Sequence, residues 1–192
     1  MGKQSTRRRQ ATRTHHMTAI ERHTLLLQMQ VVFRAAERDD LPKLEWYGKY
    51  THFRQVFQRT YEEQLRGQRL MLLADVNGFP VGQIFIQLEN YEDLWLDMRK
   101  RAYLYSLRVM DAFQRQGLGS ALLREAETLL RAQRYDSVSI AAAKDNLGAR
   151  RLYERHAFRV VAEDAGRWSY VDHEGLTHYV NEPCWILEKF LR

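Results

Sequence analysis

A short turn with two glycines is the part of this 192-residue sequence that most directly suggests chemistry. The turn, Gln114 to Gly119, follows a strand-like stretch from Tyr103 to Val109 and precedes a helix-like stretch that starts at Leu118. Free backbone N–H groups and the helix dipole favour an anion at such a junction, and glycine lets the backbone approach a phosphate. The turn therefore predicts a phosphate-binding site. The helix is predicted from apolar residues at the spacing of one helix face: Leu118, Leu122, Leu123, Ala126, Leu129 and Leu130.

Two common phosphate-binding motifs do not fit this turn. A dinucleotide-binding fingerprint requires a third glycine where this chain has Leu122. A P-loop requires Gly-Lys-Ser/Thr after four spacer residues, and the turn has no such sequence. A bare strand-to-helix turn without a ligand is the remaining structural alternative.

A third kind of phosphate loop does match the spacing. Leu107-x-Val109, followed by Gln114-x-x-Gly117-x-Gly119, resembles the acetyl-CoA pyrophosphate loop of the GNAT family of N-acetyltransferases. The two glycines alone are a weak signal, so the assignment depends on the rest of the chain.

A second motif about thirty residues later supports the same resemblance. Asn146 opens a helix, with Ala149 and Leu152-Tyr153 at the spacing found in the GNAT family. Asn146 is also a good helix N-cap by its own chemistry. The family usually closes this helix with Gly-Phe, whereas this chain has Ala157-Phe158, and we expect that departure to alter the turn. The resemblance covers roughly Val31 to Lys189.

The resemblance implies both a fold and a reaction. The fold is α/β (α+β), with a mixed, mostly antiparallel central sheet flanked by helices, which agrees with the order of elements in the sequence. The reaction is acetyl transfer from acetyl-CoA to a primary amine of a small molecule or peptide, by direct attack in a ternary complex. An acyl-CoA-binding sensor or interaction module without catalysis is the alternative.

The resemblance also implies roles for particular residues. A backbone N–H between Leu107 and Val109 would stabilise the oxyanion, and both residues would pair with the pantetheine arm, which Asn146 would also hydrogen-bond. The pyrophosphate donors would be the N–H groups of Gln114, Arg115, Gln116, Gly117, Leu118, Gly119 and Ser120.

Tyr153 corresponds to the general acid of the family. A phenol with a pKa of about 10 stays protonated at neutral pH and can donate to a departing thiolate. A buried structural tyrosine is the alternative role. The general base stays open among Glu89, Asp97, His173 and Glu182, with a water relay or an amine that binds already neutral as further alternatives.

The acceptor stays open too. Acids and aromatic residues between Asp164 and Glu182 suit a cationic amine, such as an aminoglycoside-like compound, a polyamine or a peptide. His173 and His178 near Cys184 match no zinc spacing, so no metal is predicted. Cys184 has no evident partner that would make it a nucleophile.

Regular elements must position these residues on either side of the two motifs. We predict strands at 31–36, 70–75, 81–88, 137–143, 159–163 and 184–191, and helices at 39–47 and 51–66. We also predict an Asn77-Gly78 hairpin turn, a loop or short helix at 89–102 and a loop or hairpin at 164–183.

The charge is concentrated in an N-terminal tail. The net charge is +6, but Lys3 and four arginines lie in the first sixteen residues, and the remainder holds 25 basic and 24 acidic residues. We predict a basic, disordered tail at 1–17 and an acetyltransferase domain at 18–192. Because the rest of the chain is nearly neutral, nucleic acid is not favoured as a partner. The composition of the tail also overlaps that of a transit peptide.

The expected compartment is the cytoplasm. A single cysteine excludes an internal disulfide and suits a reducing environment. The longest apolar run, Leu70 to Ala74, is too short to cross a membrane, so no membrane association is predicted. A homodimer is compatible with the sequence.

Overall fold

The computed structural model describes residues 28–88 and 99–191. The predicted tail at 1–17, most of the predicted loop at 89–102, and the base candidates Glu89 and Asp97 lie outside the described residues. None of the described helices combines the length and apolar character that a membrane span requires.

The predicted alternation of strands and helices is present. The strands are β1 (Val32–Ala35), β2 (Arg69–Val76), β3 (Phe79–Gln87), β4 (Arg101–Val109), β5 (Ser137–Ala143), β6 (Arg159–Asp164), β7 (Arg167–Val171), β8 (Thr177–Asn181) and β9 (Cys184–Phe190), and the helices are α1 (Arg54–Leu65), α2 (Leu118–Ala132) and α3 (Leu147–Arg155).

Seven of these strands form one sheet in the order β1-β2-β3-β4-β5-β9-β6, and β7 and β8 form a separate hairpin. The β4–β5 pair is parallel, and every other neighbouring pair in the large sheet is antiparallel. This confirms the mixed, mostly antiparallel α+β fold.

Each face of the sheet carries its own core. On one face α2 buries Leu122, Leu123 and Leu130 against strand residues such as Ile84 and Leu104. On the other face, α1 buries Phe57 against a smaller cluster that includes Met71, Leu73 and Phe85. Successive strand residues alternate between these two cores, as the period of a β-strand requires.

The β2–β3 hairpin turns where the sequence predicted. Asn77 and Gly78 both have positive φ, 52° and 79°, which is the backbone of a two-residue hairpin turn. The Asp75 carboxylate accepts a hydrogen bond of 2.7 Å from the Gly78 N–H and holds the turn in place.

The predicted helix at 39–47 is wrong. The chain forms two separate 3-10 turns, at Arg38–Asp40 and Lys43–Glu45. The buried Asp40 carboxylate accepts from the Glu37 N–H as part of a capping box around the first turn, and it also accepts from Arg34 at 2.6 Å. Arg34 in turn donates to Asp75 of β2, so this segment is tied to the sheet. Trp46 then adopts φ 42° and ends the second turn.

The turn after α3 was expected to be altered by Ala157, but its left-handed backbone is present. Ala157 stands where the resembling family usually has glycine, and it adopts φ 65°. The left-handed turn is therefore kept with a residue that disfavours it, at a cost of about 1 kcal/mol.

Candidate active site

The sheet opens into a cleft between two of its strands. β4 and β5 pair over Arg101–Leu104 and Ser137–Ile140, although both strands continue further. Beyond this point no strand among the described residues pairs with β4 on its β5 side. A cavity of about 880 Å³ occupies the opening, bordered by Tyr105 to Arg108 of β4, by Ala141 and Ala143 of β5, and by Tyr153 of α3.

A bulge in β4 decides which side chains face this cleft. The pairing with β3 shifts by one residue between Arg108 and Tyr105, and Ser106 has φ 52°. An extra residue reverses the alternation of a strand. Leu107 and Val109 consequently pack against the α2 core, whereas Arg108 lies on the α1 side.

The side chains and the backbone of Leu107 and Val109 have different surroundings. Their side chains are core contacts, as the structural alternative supposed. Their backbone lies in the half of β4 that β5 leaves unpaired. The backbone rather than the side chain is therefore the part of these residues that a ligand could contact, and the Val109 carbonyl already accepts from the Gln114 amide.

The glycine turn leaves a row of N–H groups at the start of α2. Within the described residues, the N–H groups of 115–120 donate to no backbone carbonyl, and Ala121 is the first to do so, to Gly117. Arg115 (φ 60°) and Gly117 (φ 84°) are left-handed, and such alternation of backbone handedness produces anion-binding concavities. The orphan N–H groups of the helix N-terminus and the helix dipole favour the same ligand charge.

Gln114 has a different environment from the rest of the turn. Its N–H donates to the Asp111 carbonyl at 3.3 Å, and its side-chain amide donates to the Val109 carbonyl at 2.9 Å. Gln114 therefore fixes the turn against the end of β4.

Gly119 lies where α2 comes close to its neighbours. A Cβ there would be 3.6 Å from Leu152 of α3 and 3.9 Å from Val109. The turn, the open half of β4 and α3 are consequently adjacent.

α3 begins after Asn146 and brings Tyr153 to the other wall of the cleft. The Asn146 side-chain oxygen accepts from the Ala149 N–H at 3.0 Å, which confirms the predicted N-cap and leaves the amide NH₂ free of that contact. Tyr153 is 5% exposed and lines the cavity. Burial, with a smaller contribution from Tyr103, raises the pKa of Tyr153 well above its usual value, so the phenol holds its proton at neutral pH.

Further side chains of the cavity were missed by the sequence analysis. Tyr103 and Tyr105 stack at 6.1 Å on one face of β4, and burial raises the pKa of Tyr103 to about 12. The alternation Tyr103-x-Tyr105 in the strand was a usable signal for this shared face. Arg108 also lines the cavity, and no motif marked its position. Asp164, the first residue of the acidic and aromatic stretch noted in the sequence, lines it as well.

Of the two general-base candidates within the described residues, one borders the cavity and the other does not. Glu182 lines the cavity, and His173 is not among the residues that do. Gly166 fixes Glu182 in place, because its carbonyl accepts from the Glu182 N–H at 3.0 Å and a Cβ on Gly166 would lie 1.8 Å from the Glu182 carbonyl oxygen. The Asp164 carboxylate accepts from the Gly166 N–H at 2.6 Å, so Gly166 contacts Asp164 through its side chain and Glu182 through its backbone.

The β7–β8 hairpin closes one side of the cleft. Trp168 and Tyr170 of β7 contact Phe53, which precedes α1, with the Phe53 and Tyr170 ring centres 4.8 Å apart. Asp172 holds the hairpin turn by accepting from the Glu174 and Leu176 N–H groups. A hydrogen bond with His178 is the main reason that the pKa of Asp172 is lowered to about 2.

No group of three or more metal-binding side chains occurs in residues 28–88 and 99–191. The features of the candidate site are the split between β4 and β5, the row of N–H groups at 115–120, the protonated Tyr153 and the carboxylates that line the cavity.

Comparison with known proteins gives one sequence family and many structures. The family model described as "Acetyltransferase (GNAT) family" matches residues 33–158. No curated protein sequence matches this chain.

The similar solved structures are acetyltransferases. A GNAT acetyltransferase of Desulfovibrio desulfuricans has a TM-score of 0.64 at 19% identity, over 85% of this chain and 100% of its own. Arabidopsis thaliana NAA60 in complex with acetyl-CoA has a TM-score of 0.63 at 19% identity, over 84% and 98%. The ribosomal-protein-S18-alanine N-acetyltransferase of Escherichia coli has a TM-score of 0.63 at 21% identity, over 84% and 94%.

Proposed function

Because the chain belongs to the GNAT family of acetyltransferases, we propose that it transfers the acetyl group of acetyl-CoA to a primary amine of a small molecule or peptide. The observation that carries the proposal is the split between β4 and β5, with the free N–H groups of 115–120 at one end and Tyr153 in its wall. NAA60 and the S18-alanine enzyme, which share the fold, are named as an acetyl-CoA complex and as an N-acetyltransferase.

The residues of the cleft fit acetyl-CoA as the co-substrate. The N–H groups of 115–120 bind the pyrophosphate, because an anion there satisfies orphan donors at a helix N-terminus. The open backbone at Leu107 and Val109 pairs with the pantetheine arm, and the Asn146 amide provides a further donor. When bound, acetyl-CoA supplies an acetyl group already activated as a thioester.

Tyr153 supplies the proton of the leaving thiol. Its raised pKa keeps the phenol protonated at neutral pH, which is the form that an acid requires. Its hydroxyl makes no hydrogen bond within the described residues, so it is available to a ligand in the cavity.

Glu182 and Asp164 bind the incoming amine and accept its proton, directly or through water. Both line the cavity, and Gly166 positions both. Of the four base candidates, Glu182 is the one among the described residues that the cavity supports.

The proposal is tested by measuring thiol release from acetyl-CoA with aminoglycosides, polyamines, amino acids and short peptides, each against a reaction without amine. The expected result is amine-dependent release together with an acetylated amine. Acetyl-CoA binding by calorimetry without acetylation of any amine would contradict catalysis and favour an acyl-CoA sensor.

A further inference from the structure

Arg108 has a position in the cleft that acetyl transfer alone does not require. The bulge at Ser106 moves this arginine from the α2 side of β4 to the α1 side, where it borders the cavity. Its guanidinium lies over two aromatic rings, 4.6 Å from the centre of Tyr50 and 4.8 Å from that of Phe53. Stacking of this kind fixes the plane of the guanidinium and leaves its N–H edge available for planar hydrogen bonding.

Within residues 28–88 and 99–191, no carboxylate or carbonyl oxygen pairs with Arg108. Two other arginines of the same cavity are paired, because Arg59 and Arg69 contact the Glu63 carboxylate at 3.1 and 2.5 Å. Burial lowers the pKa of Arg108, yet a guanidinium remains charged at neutral pH. A partly buried cation that lacks a counter-charge is unfavourable until an anion binds beside it.

The two rings that contact the Arg108 guanidinium supply no negative charge. The nearby His52 has a lowered pKa, first because of burial and then because of the Arg108 charge. The pyrophosphate donors at 115–120 lie at the N-terminus of α2, which packs on the opposite face of the sheet. Arg108 is therefore directed toward the acceptor side of the cleft, where the β7–β8 hairpin contacts Phe53.

We propose that Arg108 binds an anionic group, a carboxylate or a phosphate, that the amine acceptor carries close to its amine. This inference rests on the proposed acetyl transfer and narrows its acceptor class. The acceptor has two charges: its ammonium group lies with Glu182 and Asp164, and its anionic group forms a bidentate pair with the Arg108 fork. Both ends share one cavity of about 880 Å³, so the acceptor portion is compact.

Matched acceptors separate this inference from the general reaction. We would compare glycine with glycinamide, phosphoethanolamine with ethanolamine, and an amidated Ala-Asp dipeptide with its Ala-Asn counterpart. The carboxylate, phosphate and peptide side-chain sources of the anion are thereby distinguished. For at least one pair the anionic member is expected to have a kcat/KM about ten- to a hundred-fold higher, the range of hydrogen bonds to a charged group.

Substitution then assigns the preference to one side chain. Arg108→Gln is expected to bring the preference close to one, mainly through the KM of the anionic acceptor. Arg108→Lys keeps the charge without the planar fork, so part of the preference should remain. The matched control is Arg59→Gln, which removes the same charge from the same cavity at an arginine already paired with Glu63, and it should keep the preference.

The outcomes distinguish two failures. Acetylation of amines without a preference for the anionic member, or with a preference that persists in both Arg108 variants, would overturn the role of Arg108 and leave the acetyltransferase proposal intact. Absence of acetylation with every pair, while calorimetry shows acetyl-CoA binding, would overturn both. Acetyl-CoA binding by each variant verifies that its fold is retained.

Discussion

Replacing Tyr153 with phenylalanine should separate turnover from stability. The Tyr153 hydroxyl makes no hydrogen bond within the described residues, so its loss leaves no protein group unsatisfied and should change the free energy of unfolding by less than about 1 kcal/mol. Loss of a general acid lowers kcat by about 10²- to 10⁴-fold. Acetyl-CoA affinity should change little, because the proposed pyrophosphate donors are backbone groups of the turn.

The pH profile gives a second measure of the same role. Burial raises the pKa of Tyr153 above the usual 10, so the protonated phenol persists to higher pH than in an exposed tyrosine. The wild-type kcat should therefore show no decrease from tyrosine ionisation up to about pH 10. A decrease of kcat with an apparent pKa near 9, absent in Tyr153→Phe, would refute the assignment of a raised pKa.

Tyr135→Phe is the matched control. The Tyr135 hydroxyl donates to the Leu88 carbonyl at 2.5 Å and is not among the groups that line the cavity. Its removal should cost about 1 kcal/mol of stability and leave kcat unchanged. Turnover and urea denaturation of both variants test the reasoning, and full turnover by Tyr153→Phe would remove this residue from the mechanism.

Three further changes give measurable outcomes. Gly117→Val should abolish the acetyl-CoA binding that calorimetry measures. Gly175 has a similar positive φ and equally open space, so Gly175→Val should suffer the same backbone strain and still bind acetyl-CoA. Equal binding by the two variants would contradict the loop assignment. Ala157→Gly should increase the free energy of unfolding by about 0.5–1 kcal/mol, because φ 65° favours glycine. The urea midpoint should rise accordingly, and a lower midpoint would contradict this. Burial alone would raise the pKa of Asp40, but hydrogen bonds from Arg34 and from a backbone N–H outweigh it and lower the pKa, so the stabilisation is present above about pH 4 and is lost as the pH falls below it. Arg34→Ala should flatten that pH dependence in thermal unfolding, and an unchanged slope would argue against it.

Features encoded by neighbouring residues were predictable from the sequence. The Asn77-Gly78 turn, the apolar face of α2 and the Asn146 cap each depend on a few adjacent positions, and each has the predicted form. The two GNAT motifs are local in the same sense, which is why the family could be inferred before the sheet was known.

Features that depend on distant contacts were not predictable. The Asp39–Pro42 signal suggested a helix because the sequence does not show that Arg34 would bind both Asp40 and the distant Asp75. The bulge in β4 has a left-handed serine at its centre, a residue type that carries no such signal, so the reversal of side-chain alternation was invisible. Arg108 was for that reason only the spacer between Leu107 and Val109, although it borders the cavity.

Amide hydrogen exchange with and without acetyl-CoA tests the central claim most directly, because it requires no knowledge of the acceptor. The account predicts that acetyl-CoA protects peptides covering Leu107 to Ser120 and the start of α3 at Asn146, while β1 and β2 remain unchanged. Binding of acetyl-CoA with protection elsewhere, and none at the turn before α2, would contradict the assignment of this cleft as the co-substrate site.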